Sequence, residues 1–88
     1  MFKSENIVGT PAALDKLAEL GLDYAEFLDR HFSGDWGDVD PDDAAQNDAA
    51  AVTKGMVLSA YPLFDGTELW IITDNGHQTT TVMMPEDY

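Results

Sequence analysis

The chain has 88 residues, with 17 acidic and four basic side chains that give a formal net charge of −13. It has no cysteine, which excludes disulfides, thiolate zinc sites and a cysteine nucleophile. The length predicts one domain over residues 1–88, and a hydrophobic content of 44% is enough for one modest core. We expect a cytoplasmic protein, because no apolar run reaches the ~20 residues that span a bilayer and residues 1–8 lack the apolar stretch of a signal peptide.

The acidic side chains are densest in the first half of the chain. Residues 1–50 hold twelve acids and three bases, against five acids and one base in residues 51–88. A surface of this charge repels nucleic acid and anionic membranes and attracts basic surfaces. We therefore expect a basic protein surface as the partner, with no direct nucleic-acid binding and no membrane. The alternative is that the acid serves only solubility, or adaptation to a salty host.

The residues before Gly34 predict two helices after a short lead-in, in which Ile7-Val8 either forms a brief strand or caps the core. Thr10-Pro11 combines an N-cap with the residue that best fits the first helical position, and Gly21 suits the end of this helix. Asp23 begins the second helix, with an acidic capping-box partner three residues later. This second helix carries three acids and one arginine, which argues against a DNA-reading helix pair.

A third helix is predicted after an acidic loop. Asp40 can cap it and Pro41 fits its first position. Asp42-Asp43 lies in its first turn, where the helix dipole favours negative charge. Lys54-Gly55 combines a cation with a terminating glycine, so the helix ends there.

Three strands follow, over residues 56–63, 67–74 and 77–84, because these runs are rich in β-branched and aromatic side chains. Asp65-Gly66 and Asn75-Gly76 predict two-residue turns, the second of type I′, although the first is open to a longer loop. Pro62 suits an edge strand, so the strand of residues 67–74 is expected in the centre. The predicted fold is α+β, with about three N-terminal helices packed on a C-terminal three-stranded antiparallel β-meander.

Two-residue turns would place Tyr61 and Trp70 on the same face of this sheet, opposite the expected core face. A one-residue slip in register would exchange the faces of one strand. Tyrosine and tryptophan on a partly polar face are typical partner anchors. Alternatively, helices cover both faces, or this face is itself the core.

No motif predicts catalysis, a metal site or a cofactor. An EF-hand loop counted from Asp38 fails at its two diagnostic positions, which are Asp43 and Ala49. His31 lies near a helix C-terminus, where a partly charged imidazole is favoured, and His77 flanks a turn. No serine has the sequence context of a nucleophile. We therefore expect a protein that is not an enzyme.

Several blocks of sequence together resemble a family of short, uncharacterised bacterial proteins associated with plasmids and other mobile elements. The resemblance covers most of residues 10–88, and it implies a mobile-element setting but no reaction. The chain departs from the family where an acid and an arginine usually follow the third block, since it has Asp74-Asn75-Gly76-His77 there. The blocks are His31-Phe-Ser-Gly-Asp-Trp-Gly-Asp38, Leu58-Ser-Ala-Tyr61, Trp70-Ile-Ile-Thr73, and Thr80-Thr81 through Met84-Pro-Glu-Asp-Tyr88.

Charge and resemblance together predict a small acidic inhibitor or adaptor that docks on a basic, nucleic-acid-handling complex. An anti-defence inhibitor of the DNA-mimic type, such as an anti-CRISPR or anti-restriction protein, fits this description. The alternative is an interaction module or homodimer that uses an apolar Trp70/Tyr61 face. The predicted partner-binding residues of the acidic surface are Asp35, Asp38, Asp40, Asp42, Asp43, Asp48, Glu26 and Asp29.

Overall fold

The computed structural model describes all of residues 1–88 and contains three helices and four strands. The elements in chain order are β1 (Asn6–Gly9), α1 (Pro11–Leu20), α2 (Tyr24–Ser33), α3 (Pro41–Thr53), β2 (Val57–Pro62), β3 (Glu68–Thr73) and β4 (Thr79–Met83), followed by a 3₁₀ turn at Pro85–Asp87.

The strands form one mixed sheet in the order β1-β4-β3-β2, in which β1 runs parallel to β4 and the other pairs are antiparallel. The prediction of a three-stranded antiparallel meander is therefore wrong. Ile7-Val8 forms the brief strand that the sequence allowed, and it pairs with Thr80-Thr81 near the other end of the chain. Parallel strands are joined by long connections, so no local sequence pattern predicts the pairing of β1 with β4.

The predicted ends of α1 and α2 are confirmed. The Thr10 side chain accepts a hydrogen bond from the Ala13 N–H, and Asp23 caps α2 by accepting from the Ala25 N–H. The predicted capping-box bond from Glu26 back to Asp23 is not formed. Gly21 and Gly34 end the two helices in the left-handed region, at φ values of 69° and 91°. These ends are predictable because caps satisfy backbone groups that the helix itself leaves unpaired.

The end of α3 lies one residue earlier than predicted. Lys54, with φ of 64°, takes the left-handed position that was expected for Gly55. Asp40 precedes Pro41 at the start of the helix, but its side chain makes no capping hydrogen bond.

The hairpin between β2 and β3 has a longer turn than two residues. Leu63 N–H donates to Thr67 C=O at 2.8 Å, so three residues form the loop. The register is therefore shifted by one residue from the two-residue pairing, and Ala60 lies opposite Trp70. This shift exchanges the two faces of β2, and it turns Tyr61 toward the core.

The hairpin between β3 and β4 is present as predicted, but Asn75-Gly76 does not form a two-residue type I′ turn. Asp74 N–H donates to Thr79 C=O at 3.0 Å, which leaves a four-residue loop. The Asp74 carboxylate accepts the backbone N–H groups of Gln78 and Thr79. Because the shift is two residues, the predicted faces of β3 and β4 are retained.

The helices α1 and α2 cover one face of the sheet. They contribute Ala13, Leu17, Phe27 and Leu28 to the main core. The strand side chains that complete this core include Tyr61, Leu69, Ile71, Val82 and Met84. A smaller cluster of Trp36, Ala51 and Val57 lies beneath α3. The core therefore fills the space on one side of the sheet and extends toward the β2 edge.

Candidate functional site

The acidic segment, defined here as residues 35–48, lies along the outer edge of β2. Ala60 N–H donates to Trp36 C=O at 3.0 Å, and Asp38 N–H donates to Ala60 C=O at 2.7 Å. The loop before α3 thus pairs with β2 as a one-residue parallel bridge. These bonds fix the start of the acidic segment against the sheet.

Gly37 permits this close approach. Its φ of 74° lies in the left-handed region, and a Cβ built on it would lie 2.2 Å from the Ala60 carbonyl oxygen. No other residue type fits there without displacing the loop or the strand. The block Gly34-Asp35-Trp36-Gly37 is therefore a docking loop for β2, and it places the Trp36 indole in the smaller core cluster.

Asn47 fixes the middle of α3 to the same strand. Its side-chain amide donates to Leu58 C=O at 2.8 Å and accepts from Leu58 N–H at 3.2 Å. Asn47 was not among the predicted site residues. The sequence feature that could have indicated its role is a single amide among alanines. Asn47 lies on the same helix face as Ala51, where an apolar side chain would be expected.

Two of the predicted partner-binding acids have partners inside the protein. Asp35 accepts from the Arg30 guanidinium at 2.8 Å and from Gly37 N–H at 3.2 Å, and the bond from Arg30 lowers the pKa of Asp35. Asp48 accepts from the Trp36 indole N–H at 2.9 Å. Both carboxylates therefore help to hold the segment in place.

The remaining acids of the segment are exposed and form no ion pair. The three ion pairs of the chain use Glu19, Asp35 and Asp65 as their acids. Four exposed carboxylates of the segment are thus left without a cation: Asp38, Asp40, Asp42 and Asp43. On α2, Glu26 and Asp29 are likewise exposed and outside these ion pairs.

Trp70 and Tyr61 do not share a surface. Tyr61 is fully buried on the core face, where its hydroxyl donates to Asp35 C=O at 2.7 Å and burial raises its pKa to about 12. Trp70 lies on the opposite face, half-buried, with its indole N–H bonded to Glu68 and Tyr88 packed against its ring. The predicted joint Trp70/Tyr61 face is therefore wrong, and its cause is the shifted register of β2.

His31 is part of a buried chain of hydroxyl groups. Its Nδ1 lies 2.6 Å from Ser59 Oγ, its Nε2 lies 2.8 Å from Thr73 Oγ1, and the chain continues through Thr80 to Ser4. Burial, followed by the charge of His77, lowers the pKa of His31 to about 4. The expected partly charged imidazole is therefore wrong, because desolvation outweighs the helix dipole.

The pair formed by Ser59 and His31 has the spacing of a nucleophile and its base, but both side chains have zero exposure. The Phe2 ring packs edge-on against the imidazole, with centroids 5.2 Å apart. We interpret this pair as a satisfied polar core. No three His, Asp or Glu side chains are grouped so as to hold a metal ion.

No helix of the chain is long and apolar enough to cross a membrane. Comparison with protein-family models, curated proteins and solved structures gives no match.

Proposed function

We propose that the protein is a small acidic inhibitor or adaptor that docks on the basic surface of a nucleic-acid-handling complex. The observation that supports this most is the set of four exposed carboxylates, Asp38, Asp40, Asp42 and Asp43, that have no cation within the chain. Carboxylates that were already paired with cations of the same chain would attract a basic partner only weakly.

The acidic segment suits binding because its backbone is fixed before a partner arrives. Two contacts hold it to β2, the bridge at Gly37 and the amide of Asn47, and the bond from Trp36 to Asp48 joins its two ends. A preorganised surface loses less conformational entropy on binding than a mobile loop of the same charge. The carboxylates would stand where phosphates normally sit, and counterions would be released as they are when DNA binds.

The resemblance to proteins of mobile elements supports a partner in host defence, such as a restriction or CRISPR nuclease complex. Inhibition would follow from occupancy of the nucleic-acid-binding surface, with no reaction catalysed by the protein and no cofactor. Because Asp42 and Asp43 also favour the start of α3 through its dipole, the same charges would serve both folding and binding.

The experiment that tests this proposal is capture from a bacterial lysate on the immobilised protein, followed by elution with duplex DNA or with salt. A partner that binds through the acidic segment should be a nucleic-acid-binding protein, and both DNA and high salt should release it. A retained partner that neither DNA nor salt releases would contradict the proposal. If no partner is retained, the acidic side chains serve solubility and the proposal is contradicted.

A further inference from the structure

The strand β1 leaves one edge of the sheet open. Asn6 N–H donates to Gln78 C=O and Thr10 N–H donates to Val82 C=O, both at 2.9 Å. Backbone groups alternate in direction along a strand, so the N–H and C=O groups of Ile7 and Gly9 point away from β4. An edge with unpaired backbone groups is a template for one more strand.

An apolar groove runs beside this open edge. It has a volume of about 280 Å³ and is lined by Ile7, Val8, Gly9, Leu14, Tyr24 and Val82. Ile7, Val8, Leu14 and Tyr24 are each between 43% and 50% exposed. Val8 lies on the other face of β1 from Ile7, because side chains alternate along a strand. Three half-exposed apolar side chains, those of Ile7, Leu14 and Tyr24, therefore lie on the helix-covered side, and such a cluster is typical of an interaction site.

Residues of α1 and α2 also line this edge of the sheet. Leu14 of α1 packs directly over Gly9, where an added Cβ would lie 2.9 Å from its Cδ2. Tyr24, the first residue of α2, lines the same groove. The inward side chains of a strand added next to β1 would therefore be close to Ile7, Leu14 and Tyr24.

We infer that the edge of β1 binds an extended segment of a partner protein in which apolar residues alternate with lysine or arginine. The apolar side chains would enter the groove, and the basic ones would face a chain of net charge −13. Two exposed acids are adjacent in sequence to this surface, since Glu5 directly precedes β1 and Asp23 directly precedes Tyr24. A second copy of this chain is the less suitable occupant, because it would bring the same negative charge to the edge.

This surface goes beyond the proposed function and is separate from the acidic segment. The segment lies along β2 and the groove lies beside β1, and these are the two outer strands of the sheet. Three strand spacings, or roughly 14 Å, separate the two edges. Substitutions at one edge therefore leave the other edge unchanged, so the two proposals can fail independently.

The test is calorimetric titration of the full chain with a decapeptide of alternating lysine and valine. A lysine–proline decapeptide of the same charge is the matched probe, because proline lacks the N–H groups needed for a strand ladder. We expect the lysine–valine peptide to bind and the lysine–proline peptide to bind about tenfold more weakly or not at all. Hydrogen exchange should slow at the amides of Ile7 and Gly9 when the first peptide is bound.

Two variants of β1 separate backbone pairing from side-chain contact. Ile7→Pro removes an outward-pointing N–H without breaking a bond to β4, and proline is tolerated at such edges. Ile7→Ala removes the side chain but keeps the N–H. We expect Ile7→Pro to lose about tenfold more affinity than Ile7→Ala. Tyr24→Ala, which leaves β1 untouched, should also weaken binding.

Three results would overturn the inference. The first is equal binding of both peptides, or of wild type and Ile7→Pro, because pure charge attraction would explain it. The second is no binding of the lysine–valine peptide to the wild-type chain. The third is a dimer in sedimentation that Ile7→Pro dissociates, because a second copy would then be the occupant.

Discussion

The side-chain amide of Asn47 bonds both the N–H and the C=O of Leu58, and so a single residue of α3 replaces a neighbouring strand. Together with the bridge at Gly37, it satisfies the outward backbone groups of Leu58 and Ala60 in β2. The acidic segment therefore covers the outer edge of β2 by hydrogen bonding, whereas the outer edge of β1 has no such cover.

Asn47→Ala should destabilise the protein by about 2–3 kcal/mol, because it leaves a donor and an acceptor of Leu58 without partners in a part-buried site. Urea unfolding at neutral pH measures this change. Gln46→Ala, an exposed neighbour on the same helix, is the matched control and should change stability by less than about 0.5 kcal/mol. Equal effects of the two substitutions would show that the amide does not hold α3 in place.

Gly37→Ala should cost more stability than Gly66→Ala, although both glycines have positive φ, at 74° and 89°. The Gly66 substitution adds a Cβ in open space, so only the conformational cost of about 1 kcal/mol applies. At Gly37 the Cβ also meets the Ala60 carbonyl, and we expect this clash to lower the free energy of unfolding by about 1–3 kcal/mol more. Thermal or urea unfolding compares them, and similar losses would argue against the close approach at Gly37.

Stability should fall as the pH is lowered from 7 to 5.5, through the buried His31. Its pKa is about 4 in the folded protein against an ordinary value of 6.5, so in this range the unfolded chain binds the proton and the folded chain does not. The contribution of His31 to the free energy of unfolding is complete above pH 6.5 and is lost progressively toward pH 4, with about 1 kcal/mol lost by pH 5.5. Urea unfolding at high salt, which screens repulsion between the acids, measures it. Stability that is constant or higher at pH 5.5 would contradict this assignment.

The ends of α1 and α2 were predictable because their signals are local. Thr10 and Asp23 meet backbone N–H groups two or three residues away, and Gly21 and Gly34 adopt a conformation that few other residues take. The exposed carboxylates of the acidic segment were predictable for a similar reason, since a run of aspartates without a nearby base remains in water.

The sheet was less predictable because its details depend on distant contacts. The Asn75-Gly76 turn is widened where Gly76 N–H donates to Lys54 C=O and the Asp74 carboxylate binds two backbone amides. The position of Tyr61 depends on one extra residue in the preceding loop, and a slip of one residue moves a side chain to the other face. The pairing of β1 with β4 joins residues that are more than 70 positions apart.

Binding through the acidic segment is best tested by comparing three forms of the chain in the lysate capture. Asp38→Asn/Asp42→Asn/Asp43→Asn removes three charges from the acidic segment, and Asp15→Asn/Glu19→Gln/Glu86→Gln removes three exposed charges elsewhere. Thermal unfolding checks that each variant is folded, since the loss of Asp42 and Asp43 should cost about 0.3–1 kcal/mol each at the α3 dipole. We expect the wild type and the second variant to retain a nucleic-acid-binding protein that duplex DNA releases, and we expect the first variant not to retain it. Equal retention of that protein by the first variant would contradict binding through the acidic segment.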